Sequence, residues 1–163
     1  MPQRRGFKFF TFTLHIPFYV LKESEQLLED PRKGNNGKSL RRSWRLPFLS
    51  GHKGALSLPG HQCLYEAQIS ITITGTNHRT WTAYGAFDTY YGSNDSVDAY
   101  HQMRTPTGPV DPLTAGKFSR HNMIWTPREY YFKVFEIRIN QVLREWRAIL
   151  DGLEKVIDPC VFR

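Results

Sequence analysis

The sequence of 163 residues predicts an α+β fold: a small antiparallel sheet, made of one strand and a hairpin, packed by one long C-terminal amphipathic helix and joined by long irregular loops. Apolar and polar residues alternate near the N-terminus and again from Tyr65, which is typical of half-buried strands. From Thr126 the apolar residues recur at steps of three and four, which indicates a helix. Because strands precede the helix instead of alternating with helices, a parallel βαβ sheet is disfavoured.

The first strand is predicted over residues 9–16 of a single domain that spans residues 1–163. The apolar side chains at even positions from Phe10 to Ile16 share one face, while the threonines and His15 share the other. Pro17 is expected to end this strand, and residues 19–28 to form a short helical or irregular piece.

Residues 31–60 are predicted to form a long basic loop rich in glycine and proline. Residues 1–60 carry a net charge of 11 − 4 = +7, whereas residues 61–163 carry 11 − 11 = 0. The densest part of the loop contains Arg41, Arg42, Trp44 and Arg45. Arginines can neutralise phosphates while an aromatic ring stacks on a base. Weak binding of nucleic acid or acidic lipid is therefore one hypothesis, and a solvated loop that keeps the protein soluble is the other.

A hairpin is predicted next, with strands over residues 65–74 and 80–90 around a turn at 75–79. In the second strand Trp81, Ala83, Gly85 and Phe87 share the core face. Two small residues in the middle of that face indicate that a bulky group packs there, and the C-terminal helix is expected to supply it.

Residues 95–103 are predicted to form a short helix, and residues 105–122 a second loop. On the short helix Asp98 and His101 share a face, as metal ligands do, but the pattern supplies no third protein ligand. We therefore predict no metal site.

The long helix is predicted over residues 126–158. Thr126 and Glu129 have the spacing of a capping box, and Pro127 suits the first helical position. Proline disfavours helix at the residue before it, so Asp158-Pro159 is expected to end the helix. The apolar stripe consists of Phe132, Phe135, Ile139, Val142, Trp146, Ile149, Leu153 and Val156, widened by Tyr131, Val134, Leu143, Leu150 and Ile157.

This stripe has two interpretations. Its width favours a helix that lies against its own sheet. Its 3–4 spacing also matches a coiled coil, which would allow self-association through the distal end of the stripe. The residues of that possible interaction surface are Leu150, Leu153, Val156 and Ile157.

Composition restricts the remaining function classes. There is no run of eighteen apolar residues, so no membrane span is expected. Cys63 and Cys160 do not form a disulfide framework, which predicts unpaired thiols and a cytoplasmic location. No hydrolase, metalloprotease or nucleotide-binding motif occurs. We predict no catalytic residue and no cofactor.

Several segments together resemble a family of uncharacterised filamentous-fungal proteins, some of which carry CorA-like metal-transporter helices at the C-terminus. The resembling segments are Phe10–Tyr19, Leu64–Ser70, Phe87–Tyr91, Asp111–Leu113 and Trp125–Val142. The resemblance brings no established activity. This chain ends at Arg163 without membrane helices or a Gly-Met-Asn motif, so the resemblance implies a soluble domain related to such transporters as one alternative.

The favoured hypothesis is a non-catalytic intracellular module that binds another protein or itself. Its surfaces are expected to be the distal helix stripe and the basic loop around Trp44.

Overall fold

The structure, a computed structural model, describes residues 9–50, 61–93, 104–105, 108–119 and 126–161. Within them it has the predicted α+β architecture, a small antiparallel sheet and one long C-terminal helix. The elements are β1 (Phe10–Ser24), β2 (Ser43–Arg45), β3 (His61–Gly75), β4 (Trp81–Phe87), β5 (Arg104–Thr105), β6 (Gly108–Pro109) and α1 (Pro127–Val161).

Strand β3 is the centre of the four-stranded sheet, whose order is β1-β3-β2 with β4 also paired to β3. β2 runs antiparallel to the first part of β3, with Trp44 opposite Leu64. β4 runs antiparallel to the second part, with Gly85 opposite Ile71. The predicted antiparallel hairpin is therefore confirmed, but its second strand ends at Phe87 and not at residue 90. β5 and β6 form a separate two-stranded ladder.

The alternation in β3 predicts its buried face correctly. From Cys63 to Ile73 every second side chain is at most 2% exposed, and the residues between them are partly exposed. The buried set is Cys63, Tyr65, Ala67, Ile69, Ile71 and Ile73. Burying an isoleucine completely contributes about 1.5–3 kcal/mol, so this strand supplies a large share of the core.

The first strand is longer than predicted. β1 continues through Pro17 as far as Ser24, so the expected end at Pro17 and the irregular piece from residue 19 are wrong up to that point. β1 is the end strand in the sheet order. An edge strand tolerates proline because a nitrogen that points away from the neighbouring strand donates no ladder hydrogen bond.

The loops contain more regular structure than predicted. Ser43–Arg45 form β2 within the predicted loop of residues 31–60, and Pro47–Ser50 form a 3-10 turn. The pairing partner of β2 lies in β3, about twenty residues further along the chain, which local sequence patterns cannot reveal. In the second predicted loop, Pro112–Thr114 form another 3-10 turn. The predicted short helix at residues 95–103 lies outside the described residues.

Helix α1 begins with the predicted capping box. Glu129 accepts a hydrogen bond from the backbone N–H of Thr126 at 3.0 Å, and the Thr126 hydroxyl accepts one from the N–H of Glu129 at 3.3 Å. The bond from the Thr126 N–H, together with one that the Thr126 hydroxyl donates to the same carboxylate at 2.8 Å, lowers the pKa of the Glu129 carboxyl. The expected end at Asp158-Pro159 is wrong, since the helix runs to Val161. The preference against helix before a proline is a bias that neighbouring helical turns can override.

The face of α1 that is buried differs from the predicted stripe. The buried residues between 130 and 142 are Tyr130, Val134, Ile137, Arg138 and Val142. Phe132 and Phe135 are exposed instead, although both belong to the predicted stripe. The helix carries two apolar stripes about a third of a turn apart at 3.6 residues per turn, and the sheet covers only one of them.

By its internal contacts the chain divides into two compact units. Unit 1 comprises Met1–Ile16, Ile69–Phe87 and Asp95–Ile139. Unit 2 comprises Pro17–Gln68, Asp88–Asn94 and Asn140–Arg163. β1, β3 and α1 each contribute residues to both units.

Unit 1 is organised around the guanidinium of Arg138, which is fully buried. Its Nε donates to the carbonyl of Leu113 at 2.9 Å, and its Nη2 donates to the carbonyl of Pro112. The guanidinium also lies over the ring of Phe87, with 4.2 Å to the ring centroid. These contacts attach the 3-10 turn and β4 to α1, and they explain how a charged residue occupies the buried face of the helix.

The bulky neighbour of Gly85 is not α1, as the small residues of β4 led us to expect, but the side chain of Leu113. A Cβ atom at Gly85 would overlap a methyl group of Leu113 and would lie 2.7 Å from the ring of Phe87. That ring has little freedom to move, because the buried Arg138 guanidinium lies over it.

We expect Gly85→Ala to lower the free energy of unfolding by about 1–2 kcal/mol, since overpacking outweighs the entropy that alanine removes from the unfolded chain. Urea unfolding followed by circular dichroism measures this change. Ala86→Ser, at the exposed neighbouring position, is the control and should shift stability by less than about 0.5 kcal/mol. Equal midpoints for wild type and Gly85→Ala would contradict the packing.

Candidate interaction surface

In unit 2, α1 presents a second apolar stripe, which we call the outer face. Its residues recur at steps of three, four, three and four. They are Leu143, Trp146, Leu150, Leu153 and Ile157. The side chains of Leu150 and Ile157 are 60% and 54% exposed, and those of Leu143 and Trp146 are 46% and 43% exposed. Leu153 is partly exposed at the border of the stripe.

The outer face retains three of the four helix residues that the sequence predicts for an interaction surface. Leu150, Leu153 and Ile157 belong to it, whereas Val156 does not. Val156 lies about 120° around the helix from Leu150, on the side that includes the buried Val142, and it is partly exposed. The prediction did not include Leu143 and Trp146, which extend the face by two turns toward the N-terminus.

Two contacts of unit 2 hold this part of α1 against β1. The ring of Trp146 meets that of Tyr19 edge-on, with 6.2 Å between centroids. A Cβ atom at Gly152 would lie 2.8 Å from a methyl group of Leu21, so glycine permits a close approach of helix and strand here. The helix-weakening glycine therefore has a packing reason, and one edge of the outer face is fixed in position by Tyr19.

Tyr19 also connects the helix with the predicted basic loop. Its ring lies 6.1 Å from that of Trp44, so Trp44, Tyr19 and Trp146 form an aromatic row. Trp44 also contacts Arg42, whose guanidinium lies 5.8 Å from the ring centroid. The structure thus brings together the two surfaces that the sequence predicts separately, through a tyrosine that the sequence does not single out.

Two of the three arginines around Trp44 face carboxylates. Arg41 pairs with Asp88 at 2.7 Å and donates to the side-chain oxygen of Gln68 at 2.9 Å. Arg42 lies 3.6 Å from the carboxylate of Glu66. Arg45 is exposed at the end of β2. The charge excess seen in the sequence is therefore partly neutralised by acids of β3 and of the segment after β4.

Asp88 is the hub of this ion-pair network. Its buried carboxylate also accepts hydrogen bonds from Arg32 and from the backbone N–H of Gln68. Arg32 in turn pairs with Asp30, which is fully buried. Burial alone would raise the pKa of Asp30, but the hydrogen bonds from the Arg32 side chain and backbone, with the charges of Arg32 and Arg41, hold that pKa below its ordinary value.

Tyr90 closes the network toward the sheet. Its hydroxyl donates to the carbonyl of Glu66 at 2.8 Å, and burial raises its pKa, so it stays a neutral donor. The strand β2 and the basic loop are therefore tied to β3 by side chains as well as by the backbone ladder.

A cleft of about 300 Å³ lies in unit 2 beside this network. Its lining combines an indole and three cations with one acid and small polar groups. The residues are Leu27, Glu29, Lys38, Ser39, Arg41, Arg42, Ser43 and Trp44. An anion entering it would compete with Asp88 for Arg41 and with Glu66 for Arg42, so the cleft offers weak attraction for phosphate.

Unit 1 has a cleft of its own, of about 390 Å³. Its apolar wall consists of Phe10, Phe12 and Pro127, and its polar wall of Asn77, His78, Thr126 and Arg128. Thr126 of the capping box is one of these polar groups, so its hydroxyl already holds the start of α1.

The described residues contain no group of three His, Cys, Asp or Glu side chains that could hold a metal ion. Asp98 and His101 lie outside the described residues. Cys63 is a free, buried cysteine on β3. In the described part of the chain, no helix combines the length and the apolar character that a membrane crossing requires.

Comparison with known proteins finds no matching family model, no matching curated protein and no matching solved structure. The resemblance to the fungal family, and the relation to CorA-like transporters that it implies, stay predictions.

The network generates a prediction about acid stability. Asp30→Asn should lower the free energy of unfolding by about 2 kcal/mol at pH 7, since it removes a charged acceptor of Arg32. Because the folded-state pKa of Asp30 is depressed, its contribution is fully present above the unfolded pKa near 3.9 and is lost as the pH falls through the folded value. The difference in the free energy of unfolding between wild type and Asp30→Asn should therefore become smaller below about pH 4.

Urea titrations between pH 7 and pH 2.5 measure this narrowing. Glu29→Gln is the matched control. The Glu29 side chain is 73% exposed, and its ion pair with Lys33 is long at 3.9 Å and therefore weak. It should leave stability within about 0.5 kcal/mol of wild type. If the difference in the free energy of unfolding between wild type and Asp30→Asn does not change with pH, the depressed pKa of Asp30 is contradicted.

Proposed function

We propose that this chain is a non-catalytic interaction module that binds protein through the outer face of α1. The observation that carries the proposal is the row of five apolar residues at 3–4 spacing, of which Leu143, Trp146, Leu150 and Ile157 are 43–60% exposed. Contiguous apolar stripes of this kind on a protein surface mark sites of association. Anchors at i, i+3, i+4 and i+7 are typical of recognition along a helix.

The energetics favour a covered face. Complete burial of a leucine or isoleucine contributes about 1.5–3 kcal/mol, so covering a half-exposed one contributes about 1 kcal/mol. Trp146 adds a larger apolar area, and tryptophan is enriched among residues that dominate binding energy. Five such residues give a useful interaction energy, because the helix is already held in place by Tyr19 and Leu21 and needs no ordering on binding.

The aromatic row extends the proposed surface toward the basic loop. Trp44 lies beside Tyr19 at 6.1 Å, and the guanidinium of Arg42 lies 5.8 Å from the centroid of its ring. An apolar centre with arginine at its border has the composition of a protein interface. Arg42 then serves as part of a polar rim.

The alternative from the sequence was binding of nucleic acid or acidic lipid through Arg41, Arg42 and Arg45. The ion pairs of Arg41 with Asp88 and of Arg42 with Glu66 disfavour it, because a phosphate would have to replace carboxylates that are part of the fold. Binding of nucleic acid or acidic lipid stays a prediction.

Site-specific photocrosslinking tests the proposed function. Benzoylphenylalanine at position 150 of the full chain, irradiated in expressing cells, should give discrete protein adducts. The same group at position 155, exposed about 140° around the helix, should give none. Replacing Leu143 and Ile157 with serine should reduce the adducts at position 150 at least about fivefold, since two of five anchors are lost.

Circular dichroism controls for folding of each variant. Equal labelling at positions 150 and 155, or no adduct at either, would overturn the proposal, because a specific interface protects one side of the helix only.

A further inference from the structure

The outer face has the register of a two-stranded coiled coil. If Leu143 is assigned position a of a heptad, Trp146 is d, Leu150 is a, Leu153 is d and Ile157 is a. In such pairs the residues at e and g border the seam and determine the partner and its direction. The identity of the residues at e and g therefore indicates what covers the face.

The two borders of the seam differ in character. On one border the g residues, Ile149 and Val156, are apolar and partly covered by their own unit. On the other border the e residues are Arg147 and Glu154, both exposed and of opposite charge. No ion pair among the described residues involves either of them.

This charge order is self-complementary in one direction only. In a parallel pair of identical helices e faces g, so Arg147 would meet an apolar residue of the other helix. In an antiparallel pair e faces e. Arg147 of one copy then meets Glu154 of the second copy, and a two-fold axis repeats the contact, as in an isologous dimer.

We propose that the partner of the outer face is a second copy of this chain, bound antiparallel about a two-fold axis near Leu150 and Leu153. This inference rests on the proposed function and names its partner. Leu150 of each copy packs beside Leu153 of the other, so small aliphatic residues occupy the centre. Trp146 lies beside Ile157 of the second copy at either end, where its ring has more room than in a central layer.

The charges provide the test. We expect sedimentation equilibrium of the purified full chain to show reversible dimerisation. Arg147→Glu and Glu154→Arg should each weaken the dimer about tenfold, because each change turns two symmetric attractions into repulsions. The double variant, R147E with E154R, should restore the dissociation constant to within about threefold of wild type. High salt should reduce the differences in dissociation constant between the charge variants and wild type, because it screens the charges.

Arg144→Glu is the matched control, since Arg144 is exposed on the charged side of the helix and outside the proposed seam. It should leave the dissociation constant unchanged within about twofold. Helical circular dichroism equal to wild type shows that each variant is folded.

The outcomes separate this inference from the proposed function. A purified chain that remains monomeric at millimolar concentration, while position 150 still crosslinks to a different protein in cells, overturns the second copy and leaves the interaction module standing. A dimer whose double charge variant is not restored overturns the antiparallel arrangement. An absence of both dimer and adducts overturns both.

Discussion

The structure depends on the pairing of one strand, β3, with every other strand of the main sheet. β1, β2 and β4 all hydrogen-bond to it, and its alternate side chains are almost completely buried. A slip of one residue in the pairing of this strand would turn all of its isoleucines toward solvent, so the alternation excludes every odd shift of the register. The registers of β2 and β4 are set by this constraint, and both compact units take part of their core from the same strand.

The fold was largely predictable where the pattern was local. The alternation of Ile69, Ile71 and Ile73 and the spacing of Thr126 and Glu129 each determine a structure by themselves. Prediction failed where the deciding partner is distant in sequence. Pro17 is accommodated because β1 lies at the edge of the sheet, and β2 exists because β3 offers it an unpaired edge. Neither circumstance can be read from the residues nearby.

The candidate site was predictable only in part, for a related reason. Helical periodicity located the apolar residues of α1, but a helix with two apolar stripes does not reveal which stripe the sheet covers. In unit 1 the hydrogen bonds of Arg138 to the carbonyls of Pro112 and Leu113 determine which side of the helix is buried. Hydrophobic periodicity cannot predict this, because it assigns an arginine to the exposed side. In the basic loop the local sequence suggests more free positive charge than the structure has. The acids that neutralise Arg41 and Arg42 are Asp88 and Glu66, which are distant in sequence.

The ion pairs of Asp88 have a consequence for the order of folding. They join it to Arg41 and Arg32, which are 47 and 56 residues away in the chain. The hairpin of β3 and β4, in contrast, closes a turn of five residues. Closing a long loop costs more chain entropy than closing a short one, and this cost precedes the contacts that offset it. Contacts between residues far apart in the sequence therefore form slowly. We therefore expect the hairpin to form early and the arginine-rich segment to pair late with the Asp88 carboxylate, which directly follows the hairpin.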